Sequence, residues 1–123
     1  MVNQRQKFGK ESESMAARHL KKNGYKILEQ NYRTKLGEID IIAKDRDTLV
    51  FVEVKAKRSD RFGHPKEAVT LKKQRKISQV ALIYLSATNQ RNAKARFDVV
   101  AILATEDSTS IEIVKNAFEL AYT

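Results

Sequence analysis

Two carboxylates and one ammonium group interrupt the most apolar part of the sequence. Asp40 lies within Gly37–Ala43, and Glu53 and Lys55 lie within Leu49–Lys55. Charged side chains are almost never fully buried unless they are paired or bound to a metal ion. Their position within these runs therefore indicates a site at which chemistry takes place.

Asp40 and Glu53 have the chemistry of metal ligands. Two carboxylates in close contact repel each other, so one takes up a proton unless a cation lies between them. Oxygen ligands suit hard ions such as Mg²⁺ or Mn²⁺, and Lys55 adds a positive charge beside the ion. Such a set could hold a phosphate, orient a water molecule and stabilise the charge of a pentacovalent transition state. The alternative is a structural ion network, or strand-end charges that face water.

The runs that carry these residues predict a β-hairpin. Both are short and rich in β-branched residues, and a polar stretch separates them. Side chains alternate along a strand, so Glu53 and Lys55 share one face. A turn of two or four residues would set Asp40 opposite Glu53, with their Cβ atoms about 5 Å apart. A three-residue loop without a bulge would turn Asp40 to the wrong face, so we predict an even-length loop or a bulge.

Composition favours a single basic domain that binds a polyanion. A chain of 123 residues is normally one domain, here residues 1–123. The net charge of +9 favours nucleic acid, because each neutralised phosphate releases condensed counterions. The alternatives are a solvated basic surface or adsorption to an acidic membrane, and no basic amphipathic helix with bulky aromatic residues supports the latter.

The absence of cysteine excludes disulfides and thiolate metal sites. The first ten residues are polar, and no apolar stretch approaches the length needed to span a membrane. We therefore expect a soluble protein in the cytoplasm.

Hydrophobic periodicity predicts the element order α-β-β-β-α-β-β, an α/β fold with a mixed central β-sheet flanked by helices. Ser12 is a candidate N-cap for the first helix, and Asn23-Gly24 is a candidate stop. Outside the hairpin, the predicted elements are a helix at Ser12–Asn23, a strand at Tyr25–Tyr32, a basic turn at Arg33–Lys35, a helix at Ala68–Ala87, a strand at Ala95–Ala104, a turn at Glu106–Thr109, an outer strand at Ile111–Ile113 and a short helix at Asn116–Ala121.

The pattern D-x12-E-x-K resembles the core of the PD-(D/E)xK, or restriction-endonuclease-like, nucleases. Over nearly its whole length the chain resembles the YraN-type family of bacterial proteins. The family marks are Glu13-x-x-Ala16-Ala17, Gly24–Leu28, Gly37–Asp40, Phe51–Lys55, Phe62–Thr70, Lys73-Gln74 and Arg96–Val100. The resemblance implies a restriction-endonuclease-like core and a metal-dependent nuclease.

The resemblance also implies roles for individual residues. Asp40, Glu53 and Lys55 would be catalytic, and Gln74 on the following helix would face the site. Similar archaeal Holliday-junction resolvases have a helix Glu in the metal site, which corresponds here to Glu13. A first-turn Glu favoured by the helix dipole is the alternative for Glu13. These resolvases act as symmetric dimers, so a homodimer is an open expectation.

Basic side chains near the hairpin and at the start of the second predicted helix are candidates for contact with the nucleic-acid backbone. Cations at a helix N-terminus oppose the macrodipole, so local stability does not explain those on the helix. The alternative is a solvated charged face. His64 could carry a proton, although a lone loop histidine is more often incidental. The candidates for nucleic-acid contact are Arg33, Lys57, Arg58, Arg61, Lys72, Lys73 and Lys76.

The sequence therefore predicts a Mg²⁺- or Mn²⁺-dependent endonuclease that hydrolyses phosphodiester bonds in DNA, with branched or structured DNA as an option. One alternative is a non-catalytic nucleic-acid-binding module with the same fold. Another is an interaction domain whose basic face meets an acidic protein. For Asp98, within the later apolar strand, and for Arg96 we favour a structural role through a same-face pairing.

Overall fold

The computed structural model describes residues 4–58 and 69–121, and side chains from Gln6 onward. The predicted element order is confirmed within this part of the chain. Arg61, His64 and Ala68, where the second helix was predicted to begin, lie outside the described residues. The elements are α1 (Gln4–Lys22), β1 (Lys26–Thr34), β2 (Gly37–Asp45), β3 (Thr48–Lys57), α2 (Leu71–Ala87), β4 (Ala95–Ala104) and β5 (Thr109–Phe118).

The strands form one mixed sheet in the order β1-β2-β3-β4-β5. Neighbouring strands are antiparallel except β3 and β4, which run parallel. A parallel pair needs a crossover connection, and α2 lies in the segment between these strands. Both central strands are buried along most of their length, which explains why their sequences are apolar almost throughout.

The predicted hairpin is confirmed, including its even-length loop. Asp45 pairs with Thr48, so the turn has two residues, Arg46 and Asp47. Arg46 has a φ of 58°, the left-handed conformation that two-residue hairpin turns require. The ladder runs in register to the pair of Ile41 and Val52. Continued by one position, this register sets Asp40 opposite Glu53.

The sheet divides the core into two layers because alternate strand residues face opposite sides. Burial of each large side chain contributes about 1.5–3 kcal/mol, so both layers hold the strands in place beneath the site. The α2-side core includes Ile39, Ile42, Phe51, Ile77 and Val80. The α1-side core includes Ala16, Leu20, Ile41, Val50 and Val100.

The first helix begins earlier than predicted. Helix α1 starts at Gln4, and Ser12 is a buried residue within it rather than an N-cap. The polar turns before Ser12 show little apolar periodicity, so hydrophobic pattern gave no sign of them. The predicted stop is confirmed, because the helix ends at Lys22 and Gly24 has a φ of 89°. Neither described helix is long and apolar enough to cross a membrane.

Further boundaries differ from the prediction, among them the start of β5 at Thr109, which was predicted to belong to the preceding turn. The basic turn at Arg33–Lys35 was wrong for Arg33 and Thr34, which belong to β1 and pair with Glu38 and Gly37 of β2. Helix α2 starts at Leu71, because Thr70 caps it by accepting a hydrogen bond from the Lys73 N–H.

The predicted terminal helix at Asn116–Ala121 was wrong, since β5 continues to Phe118. Phe118 pairs with Phe97 of β4, and their rings stack with centroids 4.9 Å apart. Asn116 takes a φ of 52°, and its N–H donates to the buried carboxylate of Asp98. These tertiary contacts override the local preference of the segment.

Candidate functional site

Carboxylates from three elements meet at the end of the β2–β3 ladder. One oxygen from each of Glu13, Glu38 and Asp40 lies within 4.8 Å of the others. The side chain of Glu53 interacts with that of Asp40 and contributes to the raised pKa of Asp40. Helix α1 therefore contributes one acid, β2 two and β3 one. We call these four residues the carboxylate cluster.

Sequence reasoning named three members of this cluster and missed Glu38. The available signal was its position two residues before Asp40 on the same strand, which brings two acids close together. Arg33, predicted to contact nucleic acid, also pairs with Glu38 across the β1–β2 ladder, with 2.9 Å between Nε and Oε2.

The strands are irregular where the cluster forms. Ile39 packs in the α2-side core and Ile41 in the α1-side core, although strict alternation would place both on one face. The paired residues of the β2–β3 ladder stop at Ile41. Instead of a further ladder bond, the Val54 N–H donates to Asp40 Oδ2 over 2.8 Å. This interruption frees Asp40 from the regular pleat and fixes the direction of its carboxylate.

Asn31 lies at the same level of the adjacent strand and joins two of the acids. Its φ of 55° is in the left-handed region, which Asn tolerates better than most residues. With its amide nitrogen facing the acids, Asn31 donates to Glu13 Oε1 (2.9 Å) and Glu38 Oε1 (3.1 Å). Sequence reasoning missed Asn31, because its role depends on the β1–β2 register.

The surroundings of the cluster raise the pKa of two of its members, Asp40 and Glu13. Burial, the side-chain interaction with Glu53 and the negative charge of Glu53 raise the pKa of Asp40 to about 8, against the lowering effect of the Val54 N–H. Burial, together with the charges of Glu38 and Glu53, also raises the pKa of Glu13 despite its bond from Asn31. Asp40 therefore retains a proton to higher pH than an ordinary aspartate unless a cation takes its place.

Lys73 of α2 provides part of the missing positive charge. Its Nζ lies 2.8 Å from Oε2 of the buried Glu53. The contact is an ion pair, and this oxygen accepts no hydrogen bond that meets standard geometry from the described residues. Burial lowers the pKa of Lys73, but the contact with Glu53 outweighs it and leaves that pKa raised.

These residues fit a hard divalent cation. The donors are all carboxylate oxygens, the ligands that Mg²⁺ and Mn²⁺ prefer. Four acids outnumber the lysine and the arginine paired with them, and burial together with Glu53 raises the pKa of Asp40. A divalent ion would correct both the charge and the incomplete hydrogen bonding of Glu53.

A lysine-lined cleft borders the cluster on the α2 side. We call it the lysine cleft; it has a volume of about 510 Å³. Three of the residues predicted to contact nucleic acid line it, namely Lys72, Lys73 and Lys76. Lys76 lies one helical turn beyond the other two on α2. The walls of the cleft are formed by Gly37, Glu38, Asp40, Glu53, Thr70, Lys72, Lys73, Lys76 and Ile77.

The remaining predicted site residues among those described do not line the lysine cleft. Lys55 is half-buried on β3, two positions beyond Glu53. Gln74 donates from its Nε2 to the Val69 carbonyl over 3.0 Å, and it does not line the lysine cleft. Lys57 is exposed at the end of β3. The guanidinium of Arg58 lies 4.1 Å from the centre of the Phe8 ring of α1.

A second charged cluster surrounds Asp98, which is fully buried. Its Oδ2 accepts from the Tyr25 hydroxyl (2.9 Å), and its Oδ1 accepts from Arg96 Nε (3.0 Å) and from the Asn116 N–H. Arg96 Nη2 also lies 2.7 Å from Asp45. The predicted pairing of Arg96 with Asp98 is confirmed. We call these residues the arginine network.

Comparisons with known proteins give a family. The sequence profile of "Uncharacterised protein family UPF0102" matches residues 12–102. A UPF0102 protein of Desulfosudis oleivorans is 53% identical over 97% of this chain and 95% of its own. A UPF0102 protein of Syntrophus aciditrophicus is 52% identical over 98% and 95%, and a third, of Geobacter metallireducens, is 50% identical over 94% of each chain.

Similarity to solved structures is weaker. The crystal structure of SSO0001 matches with a TM-score of 0.36 and 18% identity, over 91% of this chain and 52% of that protein. A similarity of this size indicates nothing about function. The profile match and the high identity over almost the full length of several relatives show that the chain belongs to the YraN-type UPF0102 family.

Proposed function

We propose that the protein is a metal-dependent phosphodiesterase that hydrolyses DNA. The observation that carries this proposal is the meeting of acids from α1, β2 and β3 beside the lysine cleft. The resemblance of the D-x12-E-x-K pattern to PD-(D/E)xK nucleases supports it. Acids gathered against their mutual repulsion, next to cations suited to phosphate, fit phosphodiester chemistry better than a purely structural role.

The carboxylate cluster would hold Mg²⁺ or Mn²⁺ through Glu13, Glu38 and Asp40, with Glu53 beside them. When bound, such an ion polarises the phosphoryl oxygens and offsets the charge that develops on them. The Val54 N–H keeps the Asp40 carboxylate directed toward the cluster, and Asn31 does the same for Glu13 and Glu38. The backbone and an uncharged amide thus preorganise the acids without neutralising them.

The lysines would bind and orient the substrate. Lys72 and Lys76 line the lysine cleft, where they can contact phosphates that flank the scissile bond. Lys73 pairs with Glu53, so it is held at the boundary between the acids and the cleft. Lys55, on the same strand as Glu53, is our candidate for the group that orients the attacking water or stabilises the charge on phosphorus.

A plasmid-nicking assay with Mg²⁺ or Mn²⁺ tests the proposal. We expect the wild-type protein to nick supercoiled DNA, and Asp40→Ala and Lys55→Ala each to reduce the rate by about 10² or more, as for loss of a transition-state contact. Asp47→Ala is the matched control, because Asp47 is an exposed acid in the hairpin turn.

The outcomes of this assay separate the alternatives. Unchanged cleavage by both site variants would identify a contaminating nuclease and remove the proposal. Absence of cleavage by the wild-type protein with either ion, on plasmid and on branched DNA, would also contradict it.

The second candidate is a non-catalytic nucleic-acid-binding module. The contact of Lys73 with Glu53 favours it, because the lysine neutralises one site acid without any metal ion. This candidate predicts salt-dependent DNA binding with no cleavage and no rise in melting temperature on addition of Mn²⁺. The nuclease proposal predicts a rise, because a ligand that binds only the folded state stabilises it.

A further inference from the structure

A second cleft borders the carboxylate cluster, on the side of α1. It has a volume of about 390 Å³, and we call it the α1 cleft. Residues spaced three or four apart on α1 form one wall, so a single face of the helix lines it. Its lining residues are Gln6, Gly9, Lys10, Glu13, Asn31, Arg33 and Glu38.

The two clefts meet at the cluster. Glu38 lines both, while Glu13 lies in the α1 cleft and Asp40 and Glu53 in the lysine cleft. The helices beside the clefts pack against opposite cores of the sheet. A ligand that occupied both clefts would therefore pass the acids while it turned from the α2 side of the sheet to the α1 side.

The α1 cleft has space for a phosphate backbone and two cations at its wall, Lys10 and Arg33, beside the acids Glu13 and Glu38 of the cluster. Lys10 is exposed on its wall, and the Arg33 side chain is 75% exposed although it pairs with Glu38. Gly9 leaves the wall open, because a Cβ added there would meet no atom of the described residues within 4 Å. A backbone can approach closely at such a glycine.

We propose, on the basis of the proposed function, that the α1 cleft binds the DNA strand on the far side of the scissile phosphate. The substrate would be unpaired on that side. A duplex has a persistence length of about 150 bp, so a sharp turn from one face of the sheet to the other costs it deformation energy. A single strand is flexible enough to make this turn. The ligand class is therefore DNA with a junction between paired and unpaired segments.

Binding of a blunt duplex and of the same duplex with a single-stranded tail tests this proposal. Fluorescence anisotropy in EDTA at one fixed salt concentration keeps cleavage out of the measurement, and tails at the 3′ and the 5′ end are compared. We expect one tail polarity to tighten binding by the wild-type protein by about fivefold or more, as expected for added phosphate contacts.

Two variants of the α1 cleft should remove this gain and leave duplex binding within about twofold of wild type. Gly9→Tyr fills the open wall, and it does not reduce helix propensity, since Gly is the poorer helix former. Lys10→Glu reverses the charge. Their matched controls on the same helix are Ser14→Tyr and Lys21→Glu, at exposed positions outside the cleft, and both should keep the gain. Circular dichroism checks that all four variants fold.

Each outcome decides one proposal separately. Equal binding of blunt and tailed duplexes, or a gain that survives in Gly9→Tyr and Lys10→Glu, would overturn the α1-cleft proposal even if the protein cleaves DNA. Loss of the gain in those variants alone would support it even if no cleavage is found. A wild-type protein that binds neither probe at low salt would overturn it as well.

Discussion

The carboxylate cluster and the arginine network both place aspartates within the sheet, yet they differ in charge balance. In the network, Asp98 and Asp45 share Arg96, and the Lys115 Nζ lies 3.6 Å from Asp45. Arg96 is the main cause of a lowered pKa at Asp45. In the cluster, acids face one another, and the pKa of Asp40 rises to about 8.

This difference separates structural acids from candidate functional acids. Both oxygens of Asp98 are hydrogen-bonded by protein groups, so no ligand is needed there. The cluster has unmet charge, which favours uptake of a proton or a cation from solution. Burial alone did not distinguish them, since Glu53 is 4% exposed and Asp98 0%.

The largest effect should come from breaking the balanced network. Asp98→Ala leaves Arg96 without its buried partner, and it leaves Tyr25 and the Asn116 N–H without an acceptor. Removing one partner of a buried pair costs about 3–5 kcal/mol, so we expect a loss of that size in the free energy of unfolding, measured by urea denaturation.

Asp47→Ala provides the control for this loss. Asp47 pairs with Lys94, and both side chains are more than 70% exposed. We expect no measurable change in the free energy of unfolding, because exposed ion pairs contribute little. Comparable losses in Asp98→Ala and Asp47→Ala would contradict a structural role for the network.

Asp40→Asn should increase the stability of the fold, by less than Asp98→Ala decreases it. The amide mimics the protonated acid and can still accept from the Val54 N–H. The folded-state pKa of about 8 lies above the unfolded value of about 3.9, so between these values the folded state binds more protons. The stability of the wild type therefore falls as pH rises from 5 to 8. The stability of the variant should not fall in this way, because its amide does not titrate.

In EDTA, we expect the free energy of unfolding of the variant to rise by about 2 kcal/mol relative to that of the wild type between pH 5 and pH 8. This is less than the full pKa shift would give, because solvent screens the charges. Urea denaturation at several pH values measures this gain. A difference between the proteins that is constant with pH would show that Asp40 is ionised throughout, and the contrast with Asp45 would disappear.

The smallest effect should follow removal of the amide that joins Glu13 to Glu38. Asn31→Gly keeps the left-handed backbone conformation but removes both side-chain hydrogen bonds. We expect the pKa of Glu13 to rise, since its bond from Asn31 lowers it, and stability to change by about 1 kcal/mol or less. Carboxyl NMR titration measures the pKa, and an unchanged value would exclude the bridging role.

The hairpin could be predicted from sequence because its hydrophobic pattern is compatible with only one register of the two strands. Apolar runs of strand length and a polar turn between them fix the register of the β2–β3 ladder, which ends at Ile41 and Val52, next to Asp40 and Glu53. The long apolar segment of β4 likewise predicted its own boundaries. In each case the information lies within the segment itself.

The failures lie where contacts distant in sequence decide the structure. The polar turns of α1 before Ser12 show no amphipathic pattern, and the β-structure of Asn116 depends on Asp98 of the neighbouring strand. Asn31 and Glu38 enter the cluster through the pairing of β1 with β2 and through the irregularity at Asp40. No single segment contains that information.

The parallel pairing of β3 with β4 has a consequence for the order of folding. The β2–β3 hairpin joins residues close in sequence, and hairpins form in about 1–10 μs. The parallel pair joins Val50 to Arg96, a contact of high sequence separation that is slower to form. We therefore expect the hairpin, which carries Glu38, Asp40 and Glu53, to form before the parallel β3–β4 pair.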